Sequence, residues 1–201
     1  LYEALAFQRY VARKRPSALA PGGDDRVAVI TAQGDMLPGD QPPGTIGGDS
    51  LAWLIKATAE EEDIKAIVLR VNSGGGSMFA AEVVRQQLLR VRAQGKPVVV
   101  SMGAVAASGG YYIAADADEI WASPSTITGS IGVFAAFPTF ERLLERAGIF
   151  TDGVGTTELS GAFRLDRPLD PQVVSALNSG VGHAYQSFLK IVADGRGMTV
   201  E

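Results

Sequence analysis

Short apolar runs separated by glycine, proline and polar residues recur along the chain, and they predict β-strands. These runs occupy residues 27–32, 66–71, 98–102, 119–122 and 127–134. Helical spacing of apolar residues is found at residues 51–60, 78–92, 140–147 and 171–193. We expect Asp49 or Ser50 to cap the first of these helices, and the Pro- and Gly-rich residues 37–48 to form a loop. Strands that alternate with helices favour an α/β fold with a mainly parallel sheet.

The chain divides into a short arm and one domain. Its 201 residues fit a single domain. Residues 1–25 predict a connecting arm, because a stretch that could form a short helix is followed by a basic run and by the helix breakers Pro16 and Pro21. The basic run could touch a membrane surface or a partner, although a solvated linker is the simpler interpretation. Residues 26–201 then form the domain.

Composition removes several classes of function. The sequence is 46% hydrophobic and 20% charged, which is typical of a globular protein with a core. Its net charge of -4 gives no indication of a nucleic-acid partner. Because the chain contains no cysteine, it has no disulfide, thiolate zinc site or cysteine nucleophile. We predict neither a cofactor nor a metal.

His183 is the only histidine, so a Ser-His-Asp triad would have to use it. It lies in the last predicted helix and off the apolar stripe of that helix. The stripe consists of Val174, Leu177, Val181, Tyr185, Phe188 and Val192. A solvated or flanking histidine is therefore the favoured interpretation.

Three turns rich in glycine and serine each follow a predicted strand, the position where sites collect in open α/β sheets. The first, residues 72–77, reads Asn-Ser-Gly-Gly-Gly-Ser and is compatible with a structural turn, a phosphate loop or an oxyanion hole. A dinucleotide fingerprint would need a glycine where Phe79 stands. In the second, small residues surround Ser108 at a predicted helix start, so a helix cap competes with a nucleophile. The third places Ser130 between glycines, where a plain turn is the simpler interpretation.

Together these segments resemble the signal peptide peptidase A family, also called the protease IV family. The resemblance rests on four motifs in order, at residues 72–77, 95–103, 106–111 and 124–132, and it extends from about residue 27 to the end of the chain. It implies a Clp–crotonase fold of stacked ββα units. It also implies a serine–lysine dyad with Ser108 as nucleophile, and an oxyanion hole of backbone N–H groups from Gly75 or Gly76 and from Gly109. Ser130 matches a serine that helps to hold the lysine.

The resemblance implies partners and a location as well. Members of the family digest cleaved signal peptides, associate with the bacterial membrane and assemble into oligomers. We therefore expect signal peptides as substrates, a homo-oligomer, and a peripheral or anchored position at the membrane through a segment that precedes this chain. The uncharged stretch at residues 97–115 favours a strand, a turn and a helix start over a membrane span, so the chain itself is expected to be soluble.

The general base is the point where the sequence departs from the family. In the short form of the family the lysine follows the third turn, but residues 155–164 contain none, and Arg164 cannot act as a base. The lysines of this chain, all in poor positions, are Lys14, Lys56, Lys65, Lys96 and Lys190. The long form has two tandem halves, and this chain resembles its C-terminal half. We therefore predict that the base comes from the N-terminal half of the same protein, and that the isolated chain is inactive.

Two alternatives remain open. A crotonase-like acyl-CoA enzyme would share the fold and the paired N–H groups without needing Ser108. A non-catalytic scaffold half would carry Ser108 as a relic. For a peptidase, we expect an extended peptide to add as a strand near Gly76 and the segment after Gly132. The family usually has proline where this chain has Gly74, and Ala106 and Ala107 suggest a preference for small or apolar side chains.

Overall fold

The structure, a computed structural model, describes residues 25–200. Its strands are β1 (Arg26–Gln33), β2 (Met36–Leu37), β3 (Ile46–Gly47), β4 (Ile64–Ser73), β5 (Val98–Ala107), β6 (Glu119–Trp121) and β7 (Ile127–Gly129). Its helices are α1 (Gly48–Ala59), α2 (Met78–Ala93), α3 (Gly109–Tyr112), α4 (Glu141–Arg146) and α5 (Pro171–Arg196). The predicted arm, apart from its last residue, lies outside the described residues.

A five-stranded parallel sheet forms the centre of the fold. The strand order is β1-β4-β5-β6, and β7 pairs with the end of β5 beyond β6. The short strands β2 and β3 form a separate parallel pair. Because parallel pairing requires a crossover between strands, helices α1 and α2 lie in the connections. The predicted α/β class with a mainly parallel sheet is confirmed.

The core lies between this sheet and α1 and α2. Alternate residues of β4 point into it, as the two-residue period of a strand requires. The largest fully buried side chains from the sheet and helices include Ile55, Ile67, Leu69, Val71, Val84, Val91, Val98 and Val100. Burying a side chain of this size contributes about 1.5–3 kcal/mol. This layer fixes the strand ends from which the three turns leave.

Two predicted strand boundaries were wrong. β5 continues five residues past the predicted end, because β7 pairs with Val105–Ala107 and extends the ladder. β7 itself ends at Gly129 instead of continuing to residue 134. The next residue, Ser130, has a φ of 48°, which is incompatible with an extended strand.

The start of α1 also differs from the prediction. The helix begins at Gly48 with Gly47 as its N-cap, so Asp49 and Ser50 lie inside the first turn and neither caps it. The start is set by tertiary contacts: β3 ends its pairing with β2 at Gly47. The predicted loop at residues 37–48 contains three of the four residues of the β2–β3 strand pair.

α5 follows its prediction only in part. Phe188 is buried, whereas Val174 and Tyr185, which belong to the predicted apolar stripe, are exposed. The buried residues of α5 are Val173, Phe188 and Ala193. Between Val173 and Phe188, no residue of the helix is buried by the described part of this chain. His183 is exposed, as expected.

Residues 134–170 contain no buried residue. Helix α4, in this stretch, has no buried residue. Several large apolar side chains in the same stretch are exposed, including Phe134, Phe150, Val154, Leu159 and Phe163. Over residues 25–200, no helix has both the length and the apolar character needed to cross a membrane.

Candidate active site

The three turns meet at the edge of one pocket of about 870 Å³. Residues of the first turn (74–77), Ser108 with Gly109, and Ser130 with Gly132 all line it. They come together because β4, β5 and β7 are parallel and their carboxyl ends lie at the same edge of the sheet. The structure therefore brings every sequence-predicted site residue to one place.

Ser108 occupies a strained backbone conformation, with a φ of 49° and a ψ of -119°. Ser108 and Ser130 are the two non-glycine residues with positive φ in the described part of the chain. Such conformations cost about 1–3 kcal/mol each and persist only where surrounding structure enforces them. Here the Ser108 N–H donates to the carbonyl of Gly129 at 2.9 Å, and its carbonyl accepts from the Tyr112 N–H at 2.8 Å.

The hydroxyl of Ser108 does not act as a helix cap. Ser108 is the N-cap residue of α3, yet its side chain makes no capping hydrogen bond. The alternative of a capping serine is therefore contradicted, and the half-buried hydroxyl remains available to the pocket. α3 has only four residues, so the site depends on individual N–H groups more than on a helix dipole.

Two free backbone donors lie beside Ser108. The Gly75 N–H donates to the side-chain oxygen of Ser73 at 3.1 Å and is therefore occupied. Within residues 25–200, the N–H groups of Gly76 and Gly109 donate no hydrogen bond. A β-carbon added to Gly109 would lie 3.4 Å from the Gly76 nitrogen, which shows how close the two turns approach. The geometry thus narrows the predicted oxyanion donors to Gly76 and Gly109.

Glycine is required in the first turn. Gly75 and Gly76 have φ values of 99° and 142°. A β-carbon on Gly75 would lie 2.5 Å from the Gly109 nitrogen, and one on Gly76 would lie 2.3 Å from the carbonyl oxygen of Met36. A larger residue at Gly75 would push the first turn away from the second, and one at Gly76 would push the first turn away from Met36.

Met36, which no sequence motif singles out, holds the first turn. Its N–H donates to the carbonyl of Gly75 at 2.9 Å, and its carbonyl accepts from the N–H of Ser77 at 2.8 Å. Its side chain is fully buried. The available signal was its position just after β1, because the carboxyl end of that strand lies at the same edge as the others.

The rest of the pocket wall is mainly apolar. The side chains of this wall come from Met36, Leu37, Met78, Ala81, Tyr112, Val133, Phe134 and Phe188. Among the described residues, Asp35 supplies the one carboxylate. Ala106 and Ala107 do not line the pocket, so they were the wrong basis for expecting small or apolar substrate side chains.

No lysine from the described residues lines the pocket. Lys56 and Lys190 form exposed ion pairs within or at the end of their own helices. Lys65 contacts Glu62 and Asp25. Lys96 donates to the carbonyls of Ala59 and Glu61 at 2.6 and 2.9 Å. Lys14 lies outside the described residues.

Comparison with known proteins identifies the family of this chain. Residues 90–201 match the family model for Peptidase family S49. The chain belongs to peptidase family S49. Its membership, together with the parallel sheet, confirms the predicted Clp–crotonase-like α/β fold and the resemblance to signal peptide peptidase A. The pocket at the three turns is the candidate active site of this S49 chain.

Individual S49 relatives span much longer chains. Protease 4 from Haemophilus influenzae is 43% identical over 175 residues, covering 87% of this chain and 28% of the relative. Protease 4 from Salmonella typhi is 44% identical over 200 residues, covering 100% and 31% respectively. A chloroplastic serine protease SPPA from Arabidopsis thaliana is 34% identical over 202 residues, covering 97% of this chain and 29% of its own length. This chain therefore spans about a third of the length of these three relatives.

Proposed function

We propose that Ser108 is the nucleophile of a serine peptidase. The observation that carries the proposal is the setting of Ser108. Its hydroxyl makes no capping hydrogen bond and lies in a pocket beside two free N–H groups, and its backbone has a positive φ. A strained, non-glycine position of this kind is typical of functional sites. The similarity to proteins named Protease 4 supports peptide-bond cleavage as the reaction.

The proposed reaction is acyl transfer to serine followed by hydrolysis. The Ser108 oxygen attacks the scissile carbonyl carbon while its proton passes to a neutral lysine amine. The N–H groups of Gly76 and Gly109 stabilise the resulting oxyanion. The C–N bond then breaks, the leaving amine takes the proton from the lysine, and water releases the acyl group from Ser108.

We further propose that the lysine comes from outside this chain, from the N-terminal half of a tandem protein. Two observations support this: no described lysine lines the pocket, and the chain spans about a third of its Protease 4 relatives. A lysine base must be neutral, so its pKa must fall well below the usual value of about 10.4. Lys56 and Lys190 form exposed ion pairs and do not line this pocket. Ser130 would orient the incoming lysine from its place on the pocket edge.

The proposed substrates are cleaved signal peptides, handled at the membrane by an oligomer. The apolar pocket wall suits the apolar core of such peptides. An extended peptide would lie between the first turn, near Gly76, and the segment after Gly132, which flank the pocket. The exposed apolar side chains of residues 134–170 support burial of this stretch against the N-terminal half or a second copy.

Fluorophosphonate labelling of the full-length gene product tests the nucleophile. We expect the unmodified protein to be labelled on Ser108, the Ser108→Ala variant to lose labelling and peptide cleavage, and a Ser175→Ala control on the exposed face of α5 to match the unmodified protein. Resistance of Ser108 to labelling, combined with turnover of an acyl-CoA, would instead identify a crotonase-like enzyme. Full activity of Ser108→Ala would identify a scaffold half.

Substitution of lysine by arginine tests the source of the base, because arginine keeps the charge but cannot accept a proton. We expect Lys56→Arg, Lys65→Arg, Lys96→Arg and Lys190→Arg to leave cleavage within about twofold of the unmodified protein. Loss of cleavage in one of them, without loss of folding, would place the base inside this chain. An inactive isolated chain would not distinguish a peptidase half from a scaffold half.

A further inference from the structure

A polar cluster below the pocket has no role in the proposed chemistry. It consists of Glu82 and Arg85 on α2, Tyr112 on α3 and Asp116 just beyond α3. The Tyr112 hydroxyl donates to the Glu82 carboxylate at 2.7 Å. Arg85 donates to Glu82 at 2.8 Å and to Asp116 through a short ion pair. Every bond of this cluster except Arg85–Glu82 crosses from one element to another.

The cluster connects α2, which follows the first turn, with α3, which follows the second turn. α2 begins directly after the first turn, so Glu82 lies six residues past Gly76. Tyr112 lies three residues past Gly109 on α3. The Tyr112–Glu82 hydrogen bond therefore joins the two segments whose starts carry the two free backbone donors.

Tyr112 is firmly held and is itself coupled to the nucleophile. It is 3% exposed, its ring lies edge-on to Phe188 at a centroid distance of 4.9 Å, and the Arg85 guanidinium lies 5.8 Å from its ring centroid. Its N–H donates to the carbonyl of Ser108. One residue thus contacts the strained serine turn through its backbone and the glycine-turn helix through its side chain.

The charge states of the cluster are well defined at neutral pH. Burial raises the pKa of Glu82, but hydrogen bonds from Arg85, Gln86 and Tyr112 outweigh it and leave that pKa below its usual value. Burial and then the hydrogen bond to Glu82 raise the pKa of Tyr112. Glu82 is therefore a carboxylate and Tyr112 a neutral donor, which gives a charge-assisted hydrogen bond.

We propose that the Tyr112–Glu82 hydrogen bond, supported by Arg85 and Asp116, sets the spacing of the Gly76 and Gly109 donors and makes Tyr112 and Glu82 positioning residues for attack by Ser108. The proposal deepens the proposed function and rests on it. Tyr112 lines the pocket, but its hydroxyl donates to Glu82, and no group of the cluster is assigned a proton-transfer step. The cluster therefore acts through backbone placement. Donor spacing matters most in the transition state, where the negative charge develops on the oxygen.

The test uses the full-length protein with three single variants. Tyr112→Phe removes the hydroxyl and keeps the ring. Glu82→Gln keeps an acceptor for Tyr112 but removes the charge that Arg85 pairs with. Tyr111→Phe is the matched control, because the neighbouring hydroxyl makes no hydrogen bond in the described part of the chain. Folding is checked by thermal unfolding, and rates are compared well below the transition.

We expect Tyr112→Phe to lower the rate of Ser108 labelling by fluorophosphonate and the kcat for peptide cleavage by about tenfold, with KM within about twofold. Glu82→Gln should fall between Tyr112→Phe and the unmodified protein, and Tyr111→Phe should match the unmodified protein. A purely structural role would instead lower the unfolding temperature and leave the kcat of folded protein unchanged.

The outcomes separate this proposal from the one it rests on. If the unmodified protein labels on Ser108 while folded Tyr112→Phe and Glu82→Gln label at the same rate, the positioning role is wrong and the nucleophile stands. If the unmodified protein fails to label on Ser108, the proposed function falls and the positioning role falls with it. Should Tyr112→Phe fail to fold, Glu82→Gln alone decides the comparison.

Discussion

The backbone N–H of Ser108 donates a 2.9 Å hydrogen bond to the carbonyl of Gly129. This bond joins the second turn to the third and places Ser130 one residue beyond the contact. Both serines adopt positive φ, so the bond connects the two segments that contain the strained non-glycine positions of the described chain. The pairing of β7 with the end of β5 therefore also holds the proposed nucleophile in place.

Strain at Ser108 predicts an unusual order of stability among its variants. Glycine adopts positive φ without penalty, whereas alanine retains the strain of about 1–3 kcal/mol. We expect Ser108→Gly to unfold at a higher temperature than Ser108→Ala in the full-length protein. The same pair of substitutions at Ser175, inside helix α5, should show the opposite order, because glycine costs about 1 kcal/mol in a helix. Equal unfolding temperatures at position 108 would indicate an unstrained serine.

Gly76 and Gly74 provide a matched pair in the first turn. Gly76→Ala places a β-carbon within 2.3 Å of the Met36 carbonyl oxygen at a φ of 142°, so the turn must shift and one oxyanion donor is lost. We expect kcat to fall about 100- to 1000-fold. A β-carbon added to Gly74 would enter open space, and Gly74 has no positive φ, so Gly74→Ala should keep near-normal activity. Steady-state cleavage of a peptide by both folded variants measures the difference, and equal rates would exclude Gly76 as a donor.

Asp118 provides a pH-dependent clamp at the start of β5. Its carboxylate accepts from the Val98 N–H at 2.8 Å and pairs with Arg92, and the Arg92 hydrogen bond is the main reason that its pKa lies below the usual value. Because the folded pKa is lowered, the stabilisation is present above the usual carboxyl pKa of about 3.9 and is lost as the pH falls through the folded pKa.

Hydrogen exchange at Val98 measures this clamp. At pH 7 we expect Asp118→Asn to lower the protection factor by about 5- to 30-fold, which corresponds to about 1–2 kcal/mol. The difference between the variant and the unmodified protein should shrink toward pH 3. Asp194→Asn, which alters an exposed ion pair with Lys190, is the control and should leave Val98 unchanged. A difference that is constant from pH 7 to pH 3 would contradict a charge-based clamp.

The exposed stretch at residues 134–170 predicts an effect on assembly. Phe150 and Val154 are 82% and 105% exposed, so charged residues there should not disturb the fold of this chain. We expect the double variant Phe150→Asp with Val154→Asp to lower the mass of the proposed full-length oligomer in light scattering, because it places two charges on the proposed apolar contact. Glu158→Gln, in the same exposed stretch, should keep the original mass. An unchanged mass in the double variant would exclude this stretch as a contact with a second copy and would leave burial against the N-terminal half of the same protein.

The sequence by itself determined the class of fold and indicated where the candidate site lies. Apolar runs of strand length alternating with helical periods favoured a parallel sheet, since each connection then crosses over the core. Turns rich in glycine and serine beside these runs indicated the candidate site, because parallel strands end at the same edge. The family resemblance selected Ser108, which local chemistry alone left as one of two interpretations.

The tertiary structure decided the features that depend on contacts between distant segments. Only the packing of the turns showed that the Ser73 side chain accepts from the Gly75 N–H and that Met36 holds the first turn. It also showed that the Ser108 hydroxyl makes no capping hydrogen bond. The early end of β7, the start of α1 at Gly48 and the exposed side of α5 also depended on partners far away in the chain. Periodicity describes which face of an element is apolar, but which atoms meet across elements is fixed only when the elements pack.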